Sequence, residues 1–250
     1  MDDPVTVEWR LRCELAATYR LVHHFRMTDL IFTHISARLP GPEATFLINP
    51  YGLLFDEITA SSLVRVDNAG ALLDPDALAI NPAGFVIHSA IHRARPDAHC
   101  VLHTHSRAGC AVAASEVGLL PVNQISLEFY DQVGYHDYEG IAQSLAEQER
   151  LVASLGAYPA LILRNHGLLT VGSTPAQAFL RMYYLDQACQ IQIDALAAGP
   201  VRLPRPEVCE FTAAQFRGDV VVDYPDPYGY DLAWAALLRL LDRVAPDYAT

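Results

Sequence analysis

Apolar residues recur at helical spacing near the start of the chain. Leu11, Leu15, Tyr19 and Val22 share one face between Val7 and Phe25, which predicts an amphipathic opening helix. Two short strand patterns follow, "HISARL" from His34 and "ATFLINP" from Ala44, with "PGPEA" as the turn signal between them. In "EITASSLVRVDNAGALL" two strand-like pieces flank Asp67–Gly70, which reads as a hairpin turn. "GFVIHSAIHRARPD" predicts a short helix stopped by Pro96 and feeding the strand that ends in "HCVLHTH", with another helix over about Arg107–Ser115. "LEFYDQVGYHDYEG" reads as a loop rich in aromatic and acidic residues. Beyond it the pattern predicts a helix from Ile141 to Leu155, the apolar strand "ALIL", and the turn and strand of "RNHGLLTVG". Ser173-Thr174-Pro175 then opens a long helix to about Ala198, a hydroxyl cap followed by proline in the first turn. After Gly199-Pro200 the chain is proline-punctuated as far as Tyr228, and "DLAWAALLRLLDRV" predicts a final amphipathic helix.

Strands alternating with helices predict an α/β layered domain, and the short hairpin pieces make its sheet mixed or antiparallel rather than purely parallel. Residues 1–199 are expected to form one domain. Residues 200–250 are expected to be a tail whose final helix lids the site or contacts a neighbouring subunit. The length of 250 residues and 52% hydrophobic content suit a compact domain with a real core.

A net charge of −12 argues against a nucleic-acid partner, because phosphate neutralisation requires clustered basic residues. No apolar run approaches the roughly 20 residues that span a bilayer, and the acidic start "MDDPVTVEWRLR" is unlike a signal peptide. A cytoplasmic location without membrane association is expected. The five cysteines (Cys13, Cys100, Cys110, Cys189, Cys209) show no CxxC spacing and read as reduced core thiols. No glycine-rich phosphate loop follows a strand.

Candidate chemistry starts at His103 and His105. On a strand, residues two apart project to the same side, so two imidazoles share one patch and can hold a single ion. As an isolated HxH, the pair reads equally well as two solvated polar residues at a strand end. His166 lies in an Asn-His-Gly turn between two apolar strands, and alone it reads as a satisfied loop histidine. In combination, "RPDAHCVLHTH" and "ILRNHGLLTVG" resemble the signature segments of the class II aldolase/adducin family, in the same order and separation. The resemblance covers roughly Glu8 to Gly199, and "FLINPYGLLFDEITASSLV", "NPAGFVIHSAIHRARPD" and "GYHDYEGI" are most similar to its adducin-like branch.

The resemblance implies a three-layer α/β/α sandwich with a mixed, largely antiparallel central sheet. It also implies a homotetramer with sites at subunit interfaces and a divalent metal ion (zinc, manganese or ferrous iron) held by His103, His105 and His166. Two departures bear on the substrate. The sugar-phosphate aldolases of this family carry a Ser-Ser-Glu triplet where this chain reads Pro82-Ala83-Gly84, and a phosphate-binding asparagine where it has His34. A phosphorylated sugar is therefore not expected.

Three neutral histidines leave the ion its full charge and keep coordination positions open, as in catalytic sites. A carboxylic acid bearing a neighbouring hydroxyl or carbonyl could chelate such an ion, which would stabilise an enolate during decarboxylation or aldol cleavage. Decarboxylation needs no base to take a hydroxyl proton, so it tolerates the missing glutamate better. The leading expectation is a metal-dependent carbon–carbon lyase acting on a small-molecule carboxylate. Its alternatives are a non-haem iron oxygenase performing oxidative decarboxylation and an adducin-like scaffold without catalysis. His34, His88, Glu128, His136 and Tyr138 are candidate proton donors, and Arg164 is a candidate partner for the substrate carboxylate. His88 and His92, four apart on one helix, also read as capping or solvating a face.

Overall fold

The computed structural model describes residues 3–41, 44–141, 145–220 and 230–250. The helices are α1 (Pro4–His24), α2 (Pro82–Ala94), α3 (Arg107–Ala113), α4 (Gln124–Leu127), α5 (Glu147–Leu155), α6 (Pro175–Ala198), α7 (Pro206–Arg217) and α8 (Tyr230–Val244). The strands are β1 (His34–Arg38), β2 (Thr45–Ile48), β3 (Val64–Asp67), β4 (Cys100–Thr104), β5 (Val133–His136), β6 (Ala160–Leu163) and β7 (Gly167–Gly172). They form one seven-stranded sheet in the order β3-β2-β1-β4-β7-β6-β5. Every pairing is antiparallel except β5 with β6, so the sheet is mixed and largely antiparallel, as expected.

Period-two alternation sorts the strands between two helical layers. Ile35 and Ala37 of β1, Leu102 of β4 and Leu168 of β7 join one core with residues of α1, α3 and α6. Val101, Leu161, Leu169 and Val171 join a second core on the other face with Ile87 and Ile91 of α2 and Leu151 and Leu155 of α5. Burying each of the Val, Leu and Ile side chains among them stabilises the fold by roughly 1.5–3 kcal/mol. The arrangement is the expected three-layer α/β/α sandwich. The same alternation puts His34 and Ser36 of β1 on the α2 face, paired with β4 so that His34 lies opposite His103.

Several local expectations are revised. The segment read as a loop contains α4 and β5. β5 carries no apolar run because it fills its place with Gly134, where a Cβ would lie 2.2 Å from the Ser154 carbonyl oxygen of the crossing α5. The turn after β3 is present, with Asp67 Oδ1 accepting from the backbone N–H groups of Ala69 and Ala71 at 2.8 Å, but the second piece makes only a single bridge, Val66 to Leu72. The predicted Ile141–Leu155 helix is observed only from Glu147, as α5; residues 142–144 lie outside the described residues, as do residues 42–43 of "PGPEA" and 221–229 of the proline-punctuated stretch.

α7 was not anticipated, since Pro204 and Pro206 look like breaks. Pro206 instead occupies the first helical position, where its missing N–H costs nothing. The predicted final helix is α8. It packs back on its own chain: Leu241 is buried in the core with α1 and α6, the Tyr248 carbonyl accepts from Ala60 N–H at 2.9 Å, and Asp247 pairs with Arg20 at 2.8 Å. All five cysteines are free thiols. No helix among the described residues is long and apolar enough to cross a membrane.

Candidate metal centre

β4 delivers His103 from the sheet and His105 just past its end, and the turn between β6 and β7 delivers His166. One ligand nitrogen from each lies within 4.8 Å of the other two, and the ring centroids stand 4.7–4.8 Å apart. The Asn-His-Gly turn has a steric reason at two of its positions. Asn165 takes a left-handed conformation (φ 56°), which asparagine tolerates better than most residues. Gly167 sits where β7 presses on β4, and a Cβ there would lie 2.4 Å from the Thr104 carbonyl oxygen and 3.1 Å from the His105 ring. Asn165 N–H donates to the Ala113 carbonyl at 3.1 Å, and the Cys110 thiol donates to the His166 carbonyl at 3.1 Å, so the turn is held from α3.

The tautomers of the first two histidines follow from their partners. His103 Nδ1 lies 2.9 Å from the Leu168 carbonyl oxygen, which can only accept, so the ring proton is on Nδ1. His105 Nδ1 lies 2.8 Å from the Asp29 carboxylate, and the same logic applies. With both rings in the neutral form that metal binding requires, both Nε2 atoms present lone pairs, and they face each other at 3.0 Å. Two lone pairs at that distance repel unless a cation lies between or before them. This donor set fits a metal: three imidazoles, two of them oriented by a carbonyl and a carboxylate in the way that fixes metal-binding histidines. Burial first, and then the crowding of His166, His34 and His105, holds His103 well below the ordinary histidine range. Burial and the neighbouring His105 and His136 lower His166 to about 4. Both stay neutral at physiological pH, the form a metal requires.

Asp29 went unnoticed in the sequence. It reaches His105 from an irregular segment in which Leu30 (φ 47°) and Thr33 (φ 71°) adopt left-handed backbone, the latter with its hydroxyl buried and without a partner. A β-branched residue in that conformation is strained by about 1–3 kcal/mol, the kind of local cost found where a site demands a particular loop path.

The structure distributes the other candidates unevenly. His34 lies beside the triad, its ring 5.1 Å from that of His103. His88 hydrogen-bonds to His34 at 2.7 Å. Neither His88 nor His92 solvates a helix face: they are 0% and 2% exposed, directed from α2 at Ser36 of β1. Gly84 is the space His34 fills, since a Cβ there would lie 2.7 Å from its Cδ2.

On the other side of the triad, His136, Tyr138, Arg164 and Glu147 line a narrow cleft with His166. His136 is buried between Ser154 Oγ (3.1 Å) and Glu147 (3.3 Å), and the half-exposed Tyr138 ring is 6.4 Å from that of His166. Arg164 is committed elsewhere. It donates to the Ser115 carbonyl at 2.8 Å and stacks over Tyr135 at 4.5 Å.

Glu128 is not brought to the triad. It accepts from the Tyr230 hydroxyl in a separate cavity of about 440 Å³ with Arg181, which is bound to the Val171 carbonyl toward the far end of β7. Burial raises Glu128 to about 7 against the opposing effects of Tyr230 and Arg181.

Residues 13–193 match the family described as "Class II Aldolase and Adducin N-terminal domain". A Caulobacter vibrioides protein whose name places it with the class 2 aldolases is 52% identical, over 97% of this chain and 93% of its own. Alpha-adducin of Mus musculus is 46% identical over 77% of this chain, but that region is 27% of the adducin. The solved structure of L-fuculose 1-phosphate aldolase from Glaciozyma antarctica superposes with a TM-score of 0.85 at 28% identity, over 99% of this chain and 95% of the aldolase.

Proposed function

The chain belongs to the class II aldolase and adducin family, and from that membership we propose that it is a metal-dependent carbon–carbon lyase, of decarboxylase or aldolase type. Its substrate is a non-phosphorylated hydroxy or oxo carboxylic acid. The observation that carries this reading is the pair of Nε2 lone pairs of His103 and His105 facing each other at 3.0 Å. With His166 they would hold zinc, manganese or ferrous iron. When bound, such an ion supplies a Lewis acid that withdraws charge from a chelating substrate oxygen as a carbon–carbon bond breaks.

The protein's own residues narrow the chemistry. All 17 basic residues of the sequence are arginines, so no lysine is present to form an imine with a carbonyl substrate, which favours a metal as the electron-withdrawing group. Pro82 and Ala83 bring no hydroxyl for a phosphate, and Gly84 brings no carboxylate to take a hydroxyl proton. Loss of carbon dioxide from an acid with a carbonyl at C3, which takes up the electron pair of the broken C1–C2 bond as an enolate, suits that inventory better than aldol cleavage. His34 and Tyr138 border the triad and would meet substrate, while Asp29 and the Leu168 carbonyl would hold the imidazoles in register.

Exposed apolar residues close in sequence to the site, Leu30, Phe32, Tyr138 and Ile141, support a homotetramer that completes it. The same proposal takes residues 1–199 as the metal-binding domain, residues 200–250 as its tail, and the cytoplasm as its location. The identity to alpha-adducin supports a second reading, a non-catalytic binding domain.

The test is to load the protein separately with zinc, manganese and ferrous iron, and to follow release of carbon dioxide and of carbonyl products from a panel of 2-hydroxy and 2-oxo acids. Turnover that His103→Ala abolishes supports the lyase. Uptake of oxygen by the iron form would replace it with an oxygenase, and inertness of all loaded forms would leave the binding domain.

A further inference from the structure

Outside the triad the described residues include a buried file of three histidines and one serine. His92 Nδ1 lies 3.1 Å from the Ala98 carbonyl oxygen, and His92 Nε2 lies 2.7 Å from Ser36 Oγ. Ser36 Oγ is also hydrogen-bonded to His88 Nδ1, and His88 Nε2 lies 2.7 Å from His34 Nδ1. None of the four side chains is more than 3% exposed.

The carbonyl at one end sets the direction of every bond in the file. Ala98 can only accept, so the His92 proton is on Nδ1 and its Nε2 must accept. Ser36 has one proton and gives it to His92, so Ser36 can only accept from His88, whose proton is then on Nδ1. His88 Nε2 in turn accepts from His34 Nδ1. The file therefore ends at His34 Nε2, a lone pair with no hydrogen-bond partner, on a ring packed against the metal ligand His103 and over Gly84. Burial lowers His92 to about 3, which keeps its end of the file neutral. A neutral file has one consistent assignment.

We infer that His34 Nε2 is a fixed hydrogen-bond acceptor for a substrate hydroxyl, with Ser36, His88 and His92 as positioning residues that lock its tautomer. The inference rests on the lyase reading of the metal centre and sharpens it. An acceptor at that place selects a 2-hydroxy acid, which supplies an O–H, over the matching 2-oxo acid, which leaves the lone pair unpaired in a buried site. Sites built around such a bond discriminate strongly against ligands that lack the donor.

Two measurements test it. Nitrogen-15 correlation spectra of the histidine rings report tautomers directly, and His34, His88 and His92 should all appear as Nδ1–H forms in the wild-type protein. Calorimetry on the zinc-loaded protein, with lactate and pyruvate as a matched probe pair, should show lactate bound at least ~10-fold more tightly. In Ser36→Ala, which removes one oxygen and adds no bulk, that ratio should collapse and His34 should show Nε2–H, with zinc stoichiometry unchanged. An Nε2–H form at any of the three rings in the wild type overturns the inference, as does a lactate preference that survives Ser36→Ala. If wild-type protein takes up none of zinc, manganese and ferrous iron, the lyase reading fails by itself, and the inferred substrate role falls with it whatever the tautomer pattern.

Discussion

Replacing Asp29 probes how much of the metal affinity is supplied from outside the triad. Its carboxylate accepts from His105 Nδ1 at 2.8 Å, but the side chains are 44% and 24% exposed, so the pair is well screened. A charge-assisted hydrogen bond contributes about 1.5–3 kcal/mol and a neutral one about 1 kcal/mol, and the exposure places this one near the lower end. Asp29→Asn can keep an acceptor with lower charge, so it should cost about 1 kcal/mol, or roughly fivefold in zinc affinity. Asp29→Ala removes the acceptor and frees the ring to rotate or change tautomer, and should cost about 10–100-fold. Zinc affinity is read by competition with a chromogenic chelator, with circular dichroism confirming the fold. If both variants stay within twofold of wild type, Asp29 does not orient His105 and the tautomer argument at that ring is wrong.

Three further outcomes follow from the geometry. Gly167→Ala sets a methyl 2.4 Å from the Thr104 carbonyl, so thermal denaturation should show a loss of about 1–3 kcal/mol and chelator competition a weakened metal site, because β7 must move away from β4. Gly84→Ala should cost a similar amount in the wild type and much less beside His34→Ala, since the His34 ring is what the methyl would strike; denaturant titration of the double-mutant cycle reads this as coupling, and additivity would refute it. Glu128, raised to about 7 by burial, keeps its proton in the folded state while the unfolded chain releases its own near 4.5, so its protonation favours folding below about 4.5. That contribution is lost as pH rises to about 7, by on the order of 3 kcal/mol, and the fall should be missing from denaturant titrations of Glu128→Gln.

Much of the centre was legible because strand alternation is a strong rule. It puts His103 and His105 on one side, while His166, which alone reads as a loop histidine, is joined to them in the sequence only by the resemblance of both segments to the class II aldolase/adducin family. What lay outside the pattern was long-range. Asp29 comes from a segment whose left-handed residues, Leu30 and Thr33, are neither glycine nor asparagine and so leave no turn signal. His88 and His92 gave the right helical spacing, but which face they occupied depended on Ser36 of a strand some fifty residues earlier. β5 was hidden because half of its inward face is a glycine, and Glu128 was grouped with its loop neighbours although α4 carries it to the Tyr230 cavity.

The most direct test of the account is the metal content of protein purified without chelator or nickel, beside His103→Ala. The wild type should carry or accept about one equivalent of a divalent metal ion, and the variant should stay folded and empty. A wild-type protein that is empty and cannot be loaded would contradict it, leaving the facing imidazoles of His103 and His105 without a metal to hold.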